Sequence, residues 1–379
     1  MTIRLHPLTQ VRTWQVLFVQ DCNLRCSYCS SGFGTYGIQK GLMEPRAWKD
    51  FVSLAVHHAP EEAPVRFEFG GGETFLHYDE FLQAIEYLRD KFNVRHVPVE
   101  IHVTTNGTLL NPARLRTLAG MGVSLAFSID GPPDVHDAKR RTVGGMDSHA
   151  LAMQNWRRYS KLSRKSPEKP ACKVHSVITD ASRLRHVLNF WIQEGLTVVE
   201  TAVQWPRNAT RASLTQFKRR QQQYLEDLRQ WAFQFAKEHW AEEFLSRYQG
   251  SLDLFSLWKK MFFQEISKPC GAGEQIMAVD RKGGLYPCEL LMMSGQLKIG
   301  DAAEGIFPES YRSFLKEKNK CRVSCKTCVA RKCCPGSCMA GVPYQTLQKN
   351  FSSGCWFAKE LYKIAFRSYK ILLQSKHEN

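Results

Sequence analysis

The chain has 379 residues, 43% of them hydrophobic, and a formal net charge of +16 at pH 7. This composition allows a large core with a smaller second domain, and no apolar run is long enough to cross a bilayer. The 13 cysteines, in a long chain without a secretory signal, argue against a disulfide scaffold. The basic runs are typical of solvated helix faces, and no RNA-binding motif interleaves them with aromatics. We therefore expect a cytoplasmic protein with neither a membrane nor a nucleic acid partner.

Short apolar segments alternate with segments of helical periodicity up to residue 205. The predicted strands cover 15–19, 65–69, 99–104, 123–129, 172–178 and 197–203, and the predicted helices cover 45–58, 78–92, 111–121, 148–163 and 182–194. This alternation predicts an α/β fold with a parallel sheet and right-handed crossovers. Six strand–helix units are two short of a closed barrel of eight, so the expected architecture is a partial (β/α)6 barrel.

The first predicted strand leads directly into Cys22, Cys26 and Cys29, which are separated by three and then two residues. Three thiolates at such spacings can hold a 4Fe–4S cube and leave one iron without a protein ligand. A zinc knuckle would recruit a fourth Cys or His at short range, whereas residues 30 to 101 contain no cysteine. The spacing therefore favours an iron–sulfur cluster with an open iron.

This cysteine motif, with the aromatic Tyr28 before its last cysteine, resembles the signature of the radical SAM superfamily. Phe69-Gly70-Gly71-Gly72-Glu73 extends the resemblance, because it is similar to the strand end that binds the methionine amine of S-adenosylmethionine. Thr74 stands where many relatives have proline. The resemblance implies that an electron entering the cluster cleaves this cofactor to methionine and a 5′-deoxyadenosyl radical, which abstracts a hydrogen from the substrate.

Polar residues after two later strands lie where the superfamily contacts the ribose and carboxylate of the cofactor. The residues that the resemblance assigns to cofactor binding are Tyr28, Gly71, Gly72, Glu73, Asn106, Ser128, Asp130 and Arg141, with Arg140 as the alternative to Arg141. Asn-Gly and Asp-Gly pairs are also ordinary turn residues. Each motif nevertheless falls at the C-terminal end of a predicted strand, where barrel enzymes carry their sites.

The chain changes character after residue 205. Residues 206–265 predict a charged helical bridge, and the cysteines return in 266–379. Their order and spacing resemble the SPASM extension of radical SAM enzymes that modify peptides and proteins, although a pair of zinc ribbons is the alternative. The resemblance implies two auxiliary 4Fe–4S clusters, one on Cys325, Cys328, Cys334 and Cys355, and one on Cys270, Cys288 and Cys338.

The Cys270 cluster departs from fully ligated relatives, which carry a further cysteine shortly after the first. This chain has Glu274-Gln275-Ile276-Met277 there. Either that cluster keeps an open iron, or Cys321 or a non-cysteine group closes it. Glu289 follows Cys288 directly and stands where sulfatase-maturing relatives have an Asp that is thought to take the substrate's proton. We therefore expect Glu289 to be a general base, with a structural salt bridge as the alternative role.

The expected function is that of a maturase acting on a ribosomally made precursor peptide. The radical would abstract a side-chain hydrogen and the substrate would form a crosslink, such as a three-residue cyclophane, while the auxiliary clusters remove the surplus electron. The loop at 29–36 looks most like that of crosslinking maturases. The alternatives are a sulfatase-type maturase that oxidises Cys or Ser to formylglycine and a non-catalytic iron–sulfur electron carrier, which has no use for the Glu73 segment.

The expected partners derive from the same resemblance. They are the precursor peptide and a flavodoxin- or ferredoxin-type reductant. Few residues precede the first predicted strand at 15–19, which leaves no room there for the precursor-recognition domain of many peptide maturases. The barrel and cluster domain, or a separate peptide-recognition protein, would then hold the precursor.

Overall fold

The structure is a computed structural model of the chain. It describes residues 7–29, 31–35, 39–60, 63–195, 199–203, 211–239, 253–266, 270–292, 297–320, 328–331, 334 and 352–374. The chain divides into two compact units. Unit 1 comprises Met1–Ser128, Arg140–Cys172 and Gly271–Asn319, and unit 2 comprises Ile129–Lys139, Lys173–Cys270 and Lys320–Asn379.

Strands and helices alternate through the first half of the chain. The strands are β1 (Thr13–Gln20), β2 (Gly41–Leu42), β3 (Val65–Gly71), β4 (Val99–Thr105), β5 (Ser124–Ser128), β6 (Cys172–Ile178), β7 (Val199–Val203), β8 (Ile276–Val279), β9 (Gly284–Tyr286), β10 (Gly300–Asp301) and β11 (Gly305–Ile306). The helices are α1 (Pro45–His57), α2 (Tyr78–Asn93), α3 (Pro112–Gly120), α4 (Pro133–His136), α5 (His149–Lys165), α6 (Leu184–Gln193), α7 (Arg211–Glu238), α8 (Asp253–Phe262), α9 (Glu289–Met292), α10 (Pro308–Lys320) and α11 (Ser352–Gln374).

Unit 1 contains an open sheet with the strand order β11-β10-β9-β8-β1-β3-β4-β5, and β2 pairs with β1. Strands β1, β3, β4 and β5 run parallel to one another, as their helical crossovers require, whereas the short β2 is antiparallel to β1. Strand β8 also lies parallel to β1, in a register from Thr13–Ile276 to Val16–Val279. The predicted α/β fold with a partial, open parallel sheet is confirmed.

The two faces of this sheet differ in chemistry because side chains alternate along each strand. Trp14 and Phe18 of β1 face the helices, where Trp14 meets Phe51 edge to face with ring centroids 5.2 Å apart. The opposite face carries Gln15, Arg66 and Glu68, and Arg66 forms a 2.9 Å ion pair with Glu100 of β4. Parallel strands are usually apolar on both faces. The polar face is therefore suited to a ligand or a substrate.

Unit 2 pairs β6 with β7 in parallel, from Val174–Val199 to Ile178–Val203. Its long helices are held together by buried contacts. The indole of Trp258 on α8 donates to the carbonyl of Ala365 at 3.0 Å and to Ser368 Oγ at 3.1 Å, both on α11. Among the described helices, none combines the length and the apolar character needed to cross a membrane.

Candidate functional site

The three N-terminal cysteines lie in the loop that follows β1. Burial raises the pKa of Cys22 to about 12, and Glu73, Cys26 and Cys29 add to this effect because their charges are close. Among the described residues, no three side chains of His, Cys, Asp or Glu lie close enough together to bind a single metal ion. A cube ligated at three separate irons needs no such convergence. The effect of Cys26 and Cys29 on the pKa of Cys22 shows that the three thiols lie near one another in the loop.

A close backbone approach seats this loop on the end of β3. A Cβ atom at Gly72 would lie 1.8 Å from the carbonyl oxygen of Asp21, and one at Gly34, whose φ is +85°, would lie 2.4 Å from Gly72 Cα. The Glu73 N–H donates to the same Asp21 carbonyl at 2.8 Å. The glycine run thus has a structural requirement besides the expected cofactor contact, because only glycine allows the cysteine loop to pack there.

A second segment, residues 141–143, pairs with the loop on its other side. Arg25 N–H donates to Arg141 O at 2.7 Å and Val143 N–H donates to Asn23 O at 3.1 Å. Leu24 and Thr142 form an antiparallel bridge between these bonds. This pairing had no signal in the sequence, because it joins two short irregular segments. The pairing brings the backbone of Arg140 and Arg141 close to the cysteine loop.

Arg140, and not Arg141, faces the cysteine loop. Its Nη1 lies 3.9 Å from Cys26 Sγ, and its guanidinium carbon lies 5.2 Å from the ring centre of Tyr28. Arg141 is exposed, with Nη2 at 3.4 Å from Asp147 Oδ1. The two side chains differ because consecutive residues in a bridged segment point to opposite sides. Contact of either arginine with a cofactor carboxylate stays a prediction.

Glu73 is fully buried, and its carboxylate is used inside the sheet. It accepts hydrogen bonds from Thr105 Oγ1 at 2.7 Å, from the Asn106 N–H at 2.7 Å and from the Phe75 N–H at 3.2 Å. Burial raises its pKa to about 7, although these hydrogen bonds act in the opposite direction. These hydrogen bonds fix the end of β4, and contact of the Glu73 carboxylate with a cofactor amine stays a prediction.

Asn106 lies within reach of the first cysteine. Its Nδ2 donates to Asn23 Oδ1 at 2.9 Å and lies 3.8 Å from Cys22 Sγ, and its Oδ1 accepts from Thr108 Oγ1 at 2.7 Å. The structure thus joins the predicted residues Tyr28, Gly72, Glu73 and Asn106 around the cysteine loop.

The two remaining predicted polar residues follow β5. Ser128 ends that strand and is half-buried. Asp130 belongs to unit 2, where its Oδ1 accepts from the Val177 N–H at 3.0 Å and its N–H donates to His136 Nδ1 at 3.3 Å. The Asp130 carboxylate therefore holds the β6 backbone of its own unit. Contact of either residue with a cofactor stays a prediction.

Glu289 lies on the polar face of the unit 1 sheet. Its N–H donates to Gln15 Oε1 at 2.8 Å, and Gln15 Nε2 donates to Glu68 Oε2 at 3.3 Å. A Cβ atom on Gly70 would lie 3.4 Å from Glu289 Oε1. The Glu289 carboxylate thus lies over Gly70 of β3. Gly70 is two residues before Gly72, the glycine against which the cysteine loop packs. Sequence reasoning missed Gln15 and Glu68, although polar residues that alternate with buried ones along β1 and β3 were the available signal.

The auxiliary cysteine sets are described only in part. Cys325 and Cys338 lie outside the described residues, as do the unassigned Cys321 and Cys333. The described members are not joined in disulfide bonds, and neither is Cys172 at the start of β6; these members are Cys270, Cys288, Cys328, Cys334 and Cys355. The Arg331 N–H donates to Cys328 O at 3.1 Å, and the Cys334 N–H donates to Ala330 O at 2.8 Å. The two auxiliary ligand sets stay a prediction.

The buried Glu73 should make stability depend on pH. Its pKa is about 7 in the folded chain and 4.5 ordinarily, so the folded state binds the proton more tightly between these values. The free energy of unfolding should therefore fall as pH rises through this window and level off above it. Glu73→Gln should remove this slope, which urea unfolding from about pH 5.5 to 8 measures. Glu86→Gln, at an exposed carboxylate of α2, should keep it, and a slope retained in Glu73→Gln would contradict the assignment.

Comparisons with known proteins agree with this geometry. The model of the radical SAM superfamily matches residues 16–168. A cysteine-type anaerobic sulfatase-maturating enzyme of Clostridium perfringens is 22% identical over 330 residues, which is 84% of this chain and 85% of the relative. The structure of anSMEcpe with bound AdoMet and Cp18Cys peptide has a TM-score of 0.72 at 20% identity, with 94% of this chain and 97% of that chain covered.

A more distant structure shares the fold as well. Streptococcus suis SuiB bound to the precursor peptide SuiA has a TM-score of 0.55 at 15% identity, and the match covers 92% of this chain and 76% of that chain. The chain is thus homologous to anaerobic sulfatase-maturating enzymes and shares a fold with SuiB. With its cysteine loop on β1 and its glycine-rich end of β3, the segment 16–168 is a radical SAM domain.

Proposed function

We propose that the protein is a maturase that oxidises a side chain of a ribosomally made peptide and joins it to a second group of the same peptide. The observation that carries the proposal is the position of the Glu289 carboxylate, over Gly70 on the polar face of the sheet whose strands also seat the cysteine loop. A crosslink removes two hydrogens from the peptide, one as an atom and one as a proton. The fold likenesses to anSMEcpe and SuiB, both solved with peptides, support a peptide substrate.

The residues of the loop fit an iron–sulfur cluster. The Leu24 N–H lies 3.4 Å from Cys22 Sγ and the Phe33 N–H lies 3.1 Å from Cys29 Sγ, and such backbone donors stabilise the thiolates that ligate iron. Cys22, Cys26 and Cys29 would hold the cluster, while the strand ends at Gly71 and Asn106 would hold S-adenosylmethionine. When bound, the pair supplies a carbon radical that takes a hydrogen atom from the substrate.

The chain's own residues would then complete the oxidation. After a hydrogen atom has left, bond formation releases one proton and one electron. We expect Glu289 Oε to take the proton, and two contacts support this role. Gln15 Oε1 accepts from the Glu289 N–H at 2.8 Å, and a Cβ atom on Gly70 would lie 3.4 Å from Glu289 Oε1. The electron needs an acceptor, and the adjacent Cys288 belongs to the cysteine set that the SPASM resemblance assigns to an auxiliary cluster.

Oxidation of Cys or Ser to formylglycine is the second candidate, and the likeness to the cysteine-type sulfatase-maturating enzyme favours it. The two reactions share the removal of a hydrogen atom and diverge after that step. Formylglycine formation from Cys requires water to replace sulfur, which releases sulfide and leaves an aldehyde. A crosslink retains the sulfur and produces no aldehyde.

Product analysis separates these candidates. The reconstituted protein would be incubated with S-adenosylmethionine, dithionite and either a sulfatase-derived Cys peptide or a peptide encoded beside its gene. A product that has lost two hydrogens, has released no sulfide and does not react with a hydrazide probe supports a crosslink. Sulfide and a hydrazide-reactive product support formylglycine. An electron carrier would form no 5′-deoxyadenosine with either peptide, and that result would overturn both candidates.

Glu289→Gln tests the proposed base. The amide keeps the shape of the side chain but accepts no proton, so modified peptide should fall by about 100-fold, the usual scale for loss of a general base. Formation of 5′-deoxyadenosine should continue, because hydrogen abstraction precedes proton loss. Both products are measured by mass spectrometry in the same assay. Glu309→Gln, at another first-turn glutamate, should behave as wild type, and unchanged product per cofactor cleaved in Glu289→Gln would assign Glu289 a structural role.

A further inference from the structure

We propose that Arg140, together with Asn106 and Ser31, sets the reduction potential of the cluster on the N-terminal cysteines by placing one side-chain donor at each ligand sulfur. The proposal rests on the proposed function, since it requires a cluster on Cys22, Cys26 and Cys29. It assigns Arg140 a role that is independent of S-adenosylmethionine.

Each cysteine has its own side-chain neighbour from a different part of unit 1. Asn106 Nδ2 lies 3.8 Å from Cys22 Sγ and Arg140 Nη1 lies 3.9 Å from Cys26 Sγ. Ser31 Oγ lies 3.1 Å from Cys29 Sγ. The three donors thus distribute over the three sulfurs instead of gathering at one of them.

Other hydrogen bonds hold Ser31 and Asn106 in place and leave one hydrogen of each available to sulfur, since Asn106 Nδ2 gives its other hydrogen to Asn23 Oδ1 at 2.9 Å. Ser31 Oγ accepts from the Gly34 N–H at 3.0 Å, so its own hydrogen is available to Cys29. The Asn106 Oδ1 accepts from Thr108, which orients the amide with its Nδ2 toward Cys22. Glu73 fixes the Asn106 backbone through a 2.7 Å bond.

Arg140 is the strongest of the three because it carries a charge. Its residue is 8% exposed, its guanidinium lies over the ring of Tyr28, and Ser148 Oγ donates to its carbonyl at 2.6 Å. A guanidinium stays protonated at any physiological pH, and burial limits the screening of its field by water. The charge therefore acts on the cysteine loop whether or not a cofactor is bound.

The expected effect on the cluster has a definite direction. Reduction adds negative charge, and hydrogen bonds to the ligand sulfurs and nearby positive charge stabilise the reduced state. Arg140, Asn106 and Ser31 should therefore raise the reduction potential. This makes the cluster easier to reduce by a cellular flavodoxin or ferredoxin.

The test is a redox titration followed by electron paramagnetic resonance in the absence of S-adenosylmethionine. The paramagnetic resonance signal of the N-terminal cluster is identified as the one that is missing from the Cys22/Cys26/Cys29 triple alanine variant. Arg140→Gln should make the midpoint potential of the N-terminal cluster more negative by about 59 mV or more. For a one-electron couple, this shift is a tenfold change in the ratio of reduced to oxidised cluster. Arg141→Gln, at the neighbouring exposed arginine, should leave the potential unchanged. Ser31→Ala and Asn106→Leu should shift it less, in the same direction.

The outcomes separate this proposal from the function on which it rests. If Arg140→Gln has full iron content and an unchanged potential, this proposal is overturned and the proposed function is not. The same holds if the variant loses only affinity for S-adenosylmethionine. A triple alanine variant with the iron content and spectrum of wild type would overturn both. If Arg140→Gln fails to bind iron, Asn106→Leu and Ser31→Ala decide. Potentials equal to wild type in both would then overturn the proposal.

Discussion

Replacement of Cys22, Cys26 and Cys29 together by alanine is expected to abolish the formation of 5′-deoxyadenosine. Without the three thiolates the loop after β1 has no ligand for a cluster, so no electron reaches the cofactor. About eight irons should remain if both auxiliary sites are filled. Iron content, the electron paramagnetic resonance spectrum and 5′-deoxyadenosine are measured on the purified variant.

A cysteine outside the loop provides the matched control. Cys172 begins β6 and belongs to neither predicted cysteine set, so Cys172→Ala should keep the iron content and the cofactor cleavage of wild type. Retained cofactor cleavage in the triple variant would contradict the assignment of the N-terminal cluster.

Gly72→Ala is expected to remove the N-terminal cluster although it alters no ligand. The added Cβ would lie 1.8 Å from the Asp21 carbonyl oxygen, and backbone on both sides leaves no flexible side chain to move away. Overpacking of this kind costs about 1–3 kcal/mol or more, and here the displacement falls on the residue before Cys22. We expect loss of the N-terminal cluster iron, loss of 5′-deoxyadenosine and a lower thermal unfolding midpoint.

The control is a glycine with space around it. A Cβ atom on Gly120, at the end of α3, has no neighbour within 4 Å, so Gly120→Ala should match wild type in iron content and unfold at the same or a slightly higher temperature. If Gly72→Ala retained full iron and full cofactor cleavage, the close packing of the loop on β3 would not be needed for cluster binding.

Local patterns were sufficient to predict the strands of the parallel sheet. The alternation predicts strands at 65–69 and 99–104, and the structure has Val65–Gly71 and Val99–Thr105. They are predictable because buried strands of a parallel sheet are short apolar runs between helical segments. The pairing of β8 with β1 was not predictable, because four apolar residues far along the chain carry no information about a distant partner.

The sequence was sufficient to single out the cysteines of the candidate site, but not the contacts around them. Spacing points to Cys22, Cys26 and Cys29, which lie in one loop after β1, and their binding of a cluster stays a prediction. The choice between Arg140 and Arg141 depends on which way a bridged segment turns, and adjacent identical residues give no signal for this. Likewise, the sequence shows a carboxylate at Glu73 but not that its bonds to Thr105 and Asn106 commit it to the interior of the sheet.

The parallel pairing of β1 with β8 has a consequence for biosynthesis. Thr13 is synthesised long before its register partner Ile276, which is made only after β3, β4 and β5. A nascent chain therefore carries β1 with one backbone edge uncovered, which is the arrangement most prone to wrong pairing. Contacts of such long sequence separation also form slowly. The cysteine loop thus follows directly on a strand whose own pairing is completed late in synthesis.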